Sequence, residues 1–455
     1  MSSTGTSLQP AQQDLSLLEQ PVAKLFWRYS IPTIASMLIT GIYVAIDGMF
    51  VGHYLGETGL AGMMLAYPVG AILYAVGALI GMGSAALVSM NLGKGNIIKA
   101  RHILGNAFSL CLLAGLFFAV CGSLFAKDIL IALGAEGEVL RSAHDYLFWY
   151  FALSHFPIMS LAFTALLRND GRPHFVTCVL ITGGILNTFL DWLFIVVYPF
   201  GLAGAAIATM LSQAVTGLLC LQHFFGTKTQ LKINWSQMRL RAEHCIDITK
   251  TGFPSFLMNL YLSIVLTLHN TALLWVGAPL HVAVYGVISY TEAIFYLVFE
   301  GIAFGTQPIF SFNAGAGRYD RVKEARHIAF SMTLLVAVIG FILIYTRPQW
   351  MVYLFAGNNP ELTPVAIEGL RWYFWGLPME GLLLVGASFF QAIGATKESA
   401  ILTGLKLILI AAVIYLFAWA FGVFGVWISL ASCGVVLTIW MLFAIKRVDK
   451  YRMGA

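Results

Sequence analysis

Charge is scarce in this chain: Asp, Glu, Lys and Arg make up only 10% of its 455 residues. A soluble protein carries about 25%, and one soluble core stops growing near roughly 250–300 residues. A soluble globular fold is therefore excluded, and a hydrophobic share of 59% excludes a disordered chain. Cysteine is sparse too. The six residues Cys111, Cys121, Cys178, Cys220, Cys245 and Cys433 form no CxxC and mostly lie in apolar runs. They read as small packing residues rather than a disulfide framework or metal site. The phosphate-loop spacing G-x-x-x-x-G-K-[ST] is missing from the loops at 91–95, 168–173 and 313–317, so no ATP site is expected. Alternating strands of the membrane-barrel kind are absent. The first 20 residues lack the basic region of a signal peptide and read as a polar tail.

What is present is apolar length. At about 20 residues per membrane helix, it suffices for roughly a dozen spans. Twelve are read at 25–51, 60–90, 102–125, 143–167, 174–198, 201–225, 247–276, 281–312, 326–347, 365–395, 398–420 and 421–446. The fold class is therefore an all-α polytopic membrane protein. Lys and Arg then orient it: 22 of the 26 fall on one side, and only Lys127, Arg141, Arg347 and Arg371 on the other. This bias makes the rich side cytoplasmic and puts both termini there. The net charge of +5 reflects that topology and not a nucleic-acid partner.

The chain also matches itself at an offset of about 222 residues. SIPTIASML (30–38) meets GFPSFLMNL (252–260), SMNLGKG (89–95) meets SFNAGAG (311–317), and ALLRNDG (165–171) meets SFFQAIG (388–394). FGLAGAAIA (200–208) meets FGVFGVWIS (421–429). Two repeats of six spans share one orientation, and transporters so built bind cargo between the halves. The expected division is a polar tail over 1–23, an amino lobe over 24–225 and a linker over 226–246. A carboxy lobe over 247–446 and a tail over 447–455 follow.

Ionisable residues within spans are costly and mark function by default. Asp47 lies about 30 Å above Trp27, and Asp191 about 25 Å above His174. Asn187 precedes Asp191 by four residues and Tyr43 precedes Asp47 by four, so each pair shares a helix face. Thr209 and Tyr146 fall at similar depth. Two carboxylates with amide, hydroxyl and phenol groups suit a proton, or a hard cation such as Na⁺. Bridging between helices is the plainer alternative. Pro32 and Pro254 are repeat-equivalent, and Pro32 would bend span one and move Tyr43 and Asp47. In the second half, His269 is equivalent to Asp47, while nothing acidic is equivalent to Asp191. Glu292 and Glu380 could bind cationic cargo, carry a second proton or merely bridge helices. His269 reads first as a hydrogen-bonded core residue. Glu300 is expected near the cytoplasmic end, and Lys406 and His155 are weaker entries. No cluster of His, Cys or nucleophile motifs suggests an enzyme.

These residues resemble the MATE (multidrug and toxic compound extrusion) family over essentially the whole chain. The carrying features are Pro32 with Asp47 fifteen residues on, Asn187 with Asp191, and Thr209 eighteen beyond. The loops SMNLGKGN, LLRNDGRP and GTQPIFSFNAGAGRYDRVKEA are similar to its bacterial MepA-like branch, with amino-lobe chemistry similar to DinF-like members. The resemblance implies two pseudo-symmetric six-helix bundles and a cation-coupled multidrug antiporter of the bacterial inner membrane. It implies Tyr43, Asp47, Tyr146, Asn187, Asp191 and Thr209 as the cation site, H⁺ ahead of Na⁺ as coupling ion, and small organic cations as cargo. No ATP and no organic cofactor is expected, and the chain is expected to act as a monomer in lipid. A lipid or lipid-linked oligosaccharide flippase is the alternative. It would need cationic residues in the cavity, whereas nearly every Lys and Arg falls at a loop or span end.

Overall fold

The computed structural model describes residues 12–226 and 229–452. Residues 1–11 of the expected tail lie outside the described residues, and Gln12–Glu19 forms a short helix, α1. The amino bundle comprises α2 (Val22–Phe50), α3 (Gly56–Gly93), α4 (Ile97–Phe117), α5 (Ser123–Ala132), α6 (Gly137–Ala152), α7 (His155–Asn169), α8 (Pro173–Asp191) and α9 (Leu202–Phe225). The carboxy bundle comprises α10 (Ala242–Val276), α11 (Pro279–Gly315), α12 (Tyr319–Thr346), α13 (Pro348–Ala356), α14 (Leu362–Tyr373), α15 (Leu377–Ala392) and α16 (Thr396–Arg452). Nine helical stretches among the described residues are long and apolar enough to cross a membrane. The stretches Val22–Gly93 and Thr396–Tyr451 each hold two spans, divided at Gly56 and Gly422, which take φ of 64° and 61°. The pair α6 and α7, bent by 54°, supplies the twelfth. Pro157 helps cause that bend. It offers no N–H to Leu153, whose carbonyl instead accepts from Phe156.

The twofold repeat is written in the backbone as well as the sequence. Helix ends at Gly95 and Gly317 have φ of 74° and 71°, and those at Gly171 and Gly394 have 79° and 76°. Gly201 and Gly422, which open equivalent spans, agree in ψ too, at −145° and −141°. Only glycine enters this region cheaply, so the same turns recur where the sequence repeats them.

The bundles meet through small residues in the half of the membrane nearest the Lys- and Arg-rich end. A β-carbon on Gly83 of α3 would strike the carbonyl oxygen of Ile248 on α10, and one on Gly252 would strike that of Leu79. The repeat-related contact is Gly305 of α11 against Ser30 of α2, where an added β-carbon would lie 2.6 Å from the Ser30 Cα. Gly93 and Gly315 approach the carbonyls of Phe312 and Met90 in the same way. Residues 301–313 of α11 are buried without interruption, whereas its opposite half alternates with exposed positions. The bundles are thus sealed backbone to backbone at the basic end.

Two further pieces tighten that end. Arg321, buried in the carboxy bundle, donates from Nη2 to the carbonyls of Leu17 (3.1 Å) and Gln20 (2.5 Å), capping the free end of α1. Residues 229–241 lie on the amino bundle. Asn106 donates to the carbonyls of Gln237 and Arg239 and accepts from the Arg241 N–H at 2.8 Å, while Ser109 donates to Met238 at 2.6 Å.

Candidate functional site

Four helices of the amino bundle each present a pair of residues spaced i, i+4: Tyr43 and Asp47 on α2, Tyr146 and Tyr150 on α6, Asn187 and Asp191 on α8, Thr209 and Gln213 on α9. That spacing puts both members on one face. Asp47, Asp191, Asn187, Tyr146 and Thr209 are buried, Asp191 completely. Asp47 and Asp191 lie within electrostatic reach of each other, and Tyr146 within reach of both. All six residues expected at the amino-lobe site are therefore neighbours along one face set. Asn187 Nδ2 donates to Thr209 Oγ1 at 3.4 Å, and Gln213 Nε2 donates to the Tyr43 hydroxyl at 3.2 Å. Gly184 makes room for Tyr43, whose ring would be 3.4 Å from a β-carbon there.

The acceptors in this cluster exceed the donors. Asp47 Oδ1, both oxygens of Asp191 and Asn187 Oδ1 are buried and have no hydrogen-bond partner. Neither carboxylate has a Lys or Arg beside it among the described residues. A buried charge without partner is very costly, so such a pair demands a proton or a cation. Asp191 immediately precedes the π-helical turn Trp192–Val197, and Asp47 lies four residues before the turn Val51–Leu55. Such turns insert an extra residue into a helix and recur at functional positions. Pro32 sits within a continuous α2, and its carbonyl accepts from the Thr177 hydroxyl at 2.7 Å, which ties α2 to α8 below the acids.

Sequence reasoning missed Gln213, Tyr150 and Tyr74, the last of which lies beside Tyr150. The i, i+4 rule applied to Thr209 and Tyr146 would have found the first two.

The carboxy bundle is arranged differently. Glu380 accepts from Lys406 Nζ at 2.5 Å and from the Tyr261 hydroxyl at 3.4 Å, and Glu292 accepts from the Tyr373 hydroxyl at 2.6 Å. His269 is fully buried, stacks on Tyr285 at 4.6 Å, and contacts the Val265 carbonyl at 2.9 Å. Lys406, a weaker entry within its span by sequence, lies ten residues into α16, about 15 Å from its start. Glu300 lies fifteen residues before the end of α11 at Gly315, about 22 Å along the helix. There it lies across the bundle boundary from Arg168 of α7, which is itself buried.

Comparison with known proteins agrees with this architecture. The MatE family model matches residues 32–193 and 254–416, one copy per bundle. The multidrug export protein MepA of Staphylococcus saprophyticus is 24% identical over 443 residues, covering 94% of this chain and 96% of that protein. MepA of Staphylococcus aureus is 25% identical over 437 residues, covering 93% and 95%. A solved MATE transporter of the MOP superfamily, in an outward-facing conformation, superposes with a TM-score of 0.90 at 24% identity. That superposition covers 97% of this chain and all of the other.

Proposed function

The chain belongs to the MatE family of membrane transporters, and on that premise we propose that it is a cation-coupled multidrug efflux antiporter. It exports amphipathic, often cationic compounds by alternating access; the MepA relatives are named multidrug export proteins. It acts as a monomer in lipid, uses no ATP or organic cofactor, and performs no covalent chemistry. The observation that carries this reading is the buried pair Asp47 and Asp191, with three carboxylate oxygens left without partners. A proton is the simplest ion to neutralise one of two coupled carboxylates, so H⁺ is proposed ahead of Na⁺.

The Lys and Arg bias supports both termini being cytoplasmic, and the Staphylococcus relatives support placing the chain in a bacterial inner (cell) membrane. The glycine-sealed end is then the cytoplasmic one, and the conformation described is outward-facing. In the cycle, H⁺ from outside binds Asp47 and Asp191, and cargo from inside enters between the bundles. Ion and cargo need not touch, because each need only favour a different conformation. Against the flippase reading, the buried Lys406 is already paired with Glu380 and is not free for a pyrophosphate. Efflux of a fluorescent organic cation from proteoliposomes tests the proposal, with pH and Na⁺ gradients imposed separately. Efflux driven by the pH gradient is expected, and indifference to both gradients would overturn it.

A further inference from the structure

Lys406 is surrounded as a bound cation would be. Its ammonium lies 2.5 Å from Glu380 Oε2 and 3.8 Å from the centroid of the Tyr261 ring. The Tyr261 hydroxyl donates to the other oxygen of the same carboxylate at 3.4 Å, which fixes both partners. A carboxylate beside an aromatic face is the combination that recognises organic ammonium ions. The pair is withdrawn from solvent, with side-chain exposures of 12% for Lys406 and 6% for Glu380. Glu292, held by Tyr373, lies within electrostatic reach of both. Beside the ammonium is a small, mainly apolar cavity walled by Leu257, Met258, Tyr296, Leu383 and Leu384.

We infer that the carboxy bundle contains an ammonium-binding site that the chain fills with its own Lys406. This stands independently of which ion the amino bundle takes. Position 406 is repeat-equivalent to Gly184, which adjoins Tyr43 in the amino bundle. One bundle thus has a glycine packed against Tyr43 where the other has a tethered cation. Glu380 consequently draws no ion from either side of the membrane, and an alkylammonium ligand reaches it only by displacing Lys406.

The test is replacement of the tether by a free one. In purified full-length protein, Lys406→Ala removes three carbons and the ammonium, which n-propylammonium restores. Thermal unfolding is followed against propylammonium chloride, with n-propanol and NaCl as controls. The expected result is a saturable rise in Tm for Lys406→Ala with propylammonium alone. The rise should be absent in the unaltered chain and in Lys406→Ala/Glu380→Gln, and Tyr261→Leu should raise the half-saturating concentration several-fold. An equal response in the unaltered chain, or one that survives Glu380→Gln, overturns the inference. Should Lys406→Ala not survive solubilisation, Lys406→Met replaces it, titrated with NH₄Cl against NaCl. An ammonium-selective rise in Tm removed by Glu380→Gln supports the site, and no selectivity overturns it.

Discussion

Lys406 donates to Glu380 at 2.5 Å inside the carboxy bundle, while Asp47 and Asp191 in the amino bundle have oxygens without partners. The two halves are alike in backbone, down to the φ angles of paired glycines, and opposite in charge balance. A buried carboxylate with its own cation is compensated, whereas a buried pair without one needs a proton or a cation. That difference supports the proposal that ion exchange belongs to the amino half.

Neutralising either amino-bundle acid should therefore uncouple transport without unfolding the protein. One charge moving through 100 mV supplies about 2.3 kcal/mol, and about 1.4 kcal/mol is tenfold, so one charge supports a gradient of roughly fifty. Asp191→Asn and Asp47→Asn should each bring the accumulation ratio of a fluorescent cation towards one at unchanged surface expression. Full efflux by the well-expressed double variant would remove both acids from the mechanism.

The seal at the basic end predicts a steric contrast between two glycines. Gly252 has the Leu79 carbonyl against its missing β-carbon, whereas Gly404 has nothing within 4 Å. Forcing atoms into a packed contact costs about 1–3 kcal/mol, so Gly252→Val should lower the unfolding temperature and prevent the bundles from closing. Gly404→Ala lies within a helix, where alanine is favoured over glycine by about 0.5–1 kcal/mol. It should be neutral or slightly stabilising. Equal effects in a thermal-shift comparison would refute the close packing.

Much of this arrangement was legible in the sequence because membrane helices make charge rare. The repeat, the twelve spans and the family followed from apolar runs and matched glycine loops. Asp47 and Asp191 stood out because few acids lie within spans. Depth was legible, since helical rise converts residue number to distance, but pairing was not. Lys406 was therefore counted with the basic end by position, although its ammonium lies against Glu380 on another helix. The π-helical turns after the two acids carry no motif. The α6–α7 bend likewise depends partly on tertiary contact, where Ser154 donates to the Gly115 carbonyl at 2.8 Å.

The capped α1 should behave as a strap across the sealed end. Arg321 Nε donates to Asn313 at 3.1 Å while its Nη2 holds the carbonyls of Leu17 and Gln20. A hydrogen bond from a charged donor contributes about 1.5–3 kcal/mol, and Arg321→Ala should lose at least one such contribution. In the same background, a cysteine introduced as Ser89→Cys, at a site buried against Pro308, should be alkylated faster. An unchanged alkylation rate together with unchanged Tm would show that the strap does not help close the bundles.

Arg168 and Glu300 offer the sharpest test of contact between the two halves. Arg168 is 2% exposed, donates from Nε to the Thr164 carbonyl at 3.3 Å, and lies over the Phe304 ring at 5.3 Å. Its Nη1 has no hydrogen-bond partner. It lines a small cavity together with Glu300 and Asn259 of the opposite bundle. The two form no direct ion pair, and residues that share one network couple by about 0.5–3 kcal/mol. Arg168→Met and Glu300→Gln should each destabilise the sealed conformation, and the double variant should be less destabilised than their sum. Because the two residues belong to different bundles, that coupling exists only while the bundles are together. It should disappear when a crosslink holds the opposite, open-inside conformation. Strict additivity in the sealed conformation would mean that the two charges do not interact across the boundary.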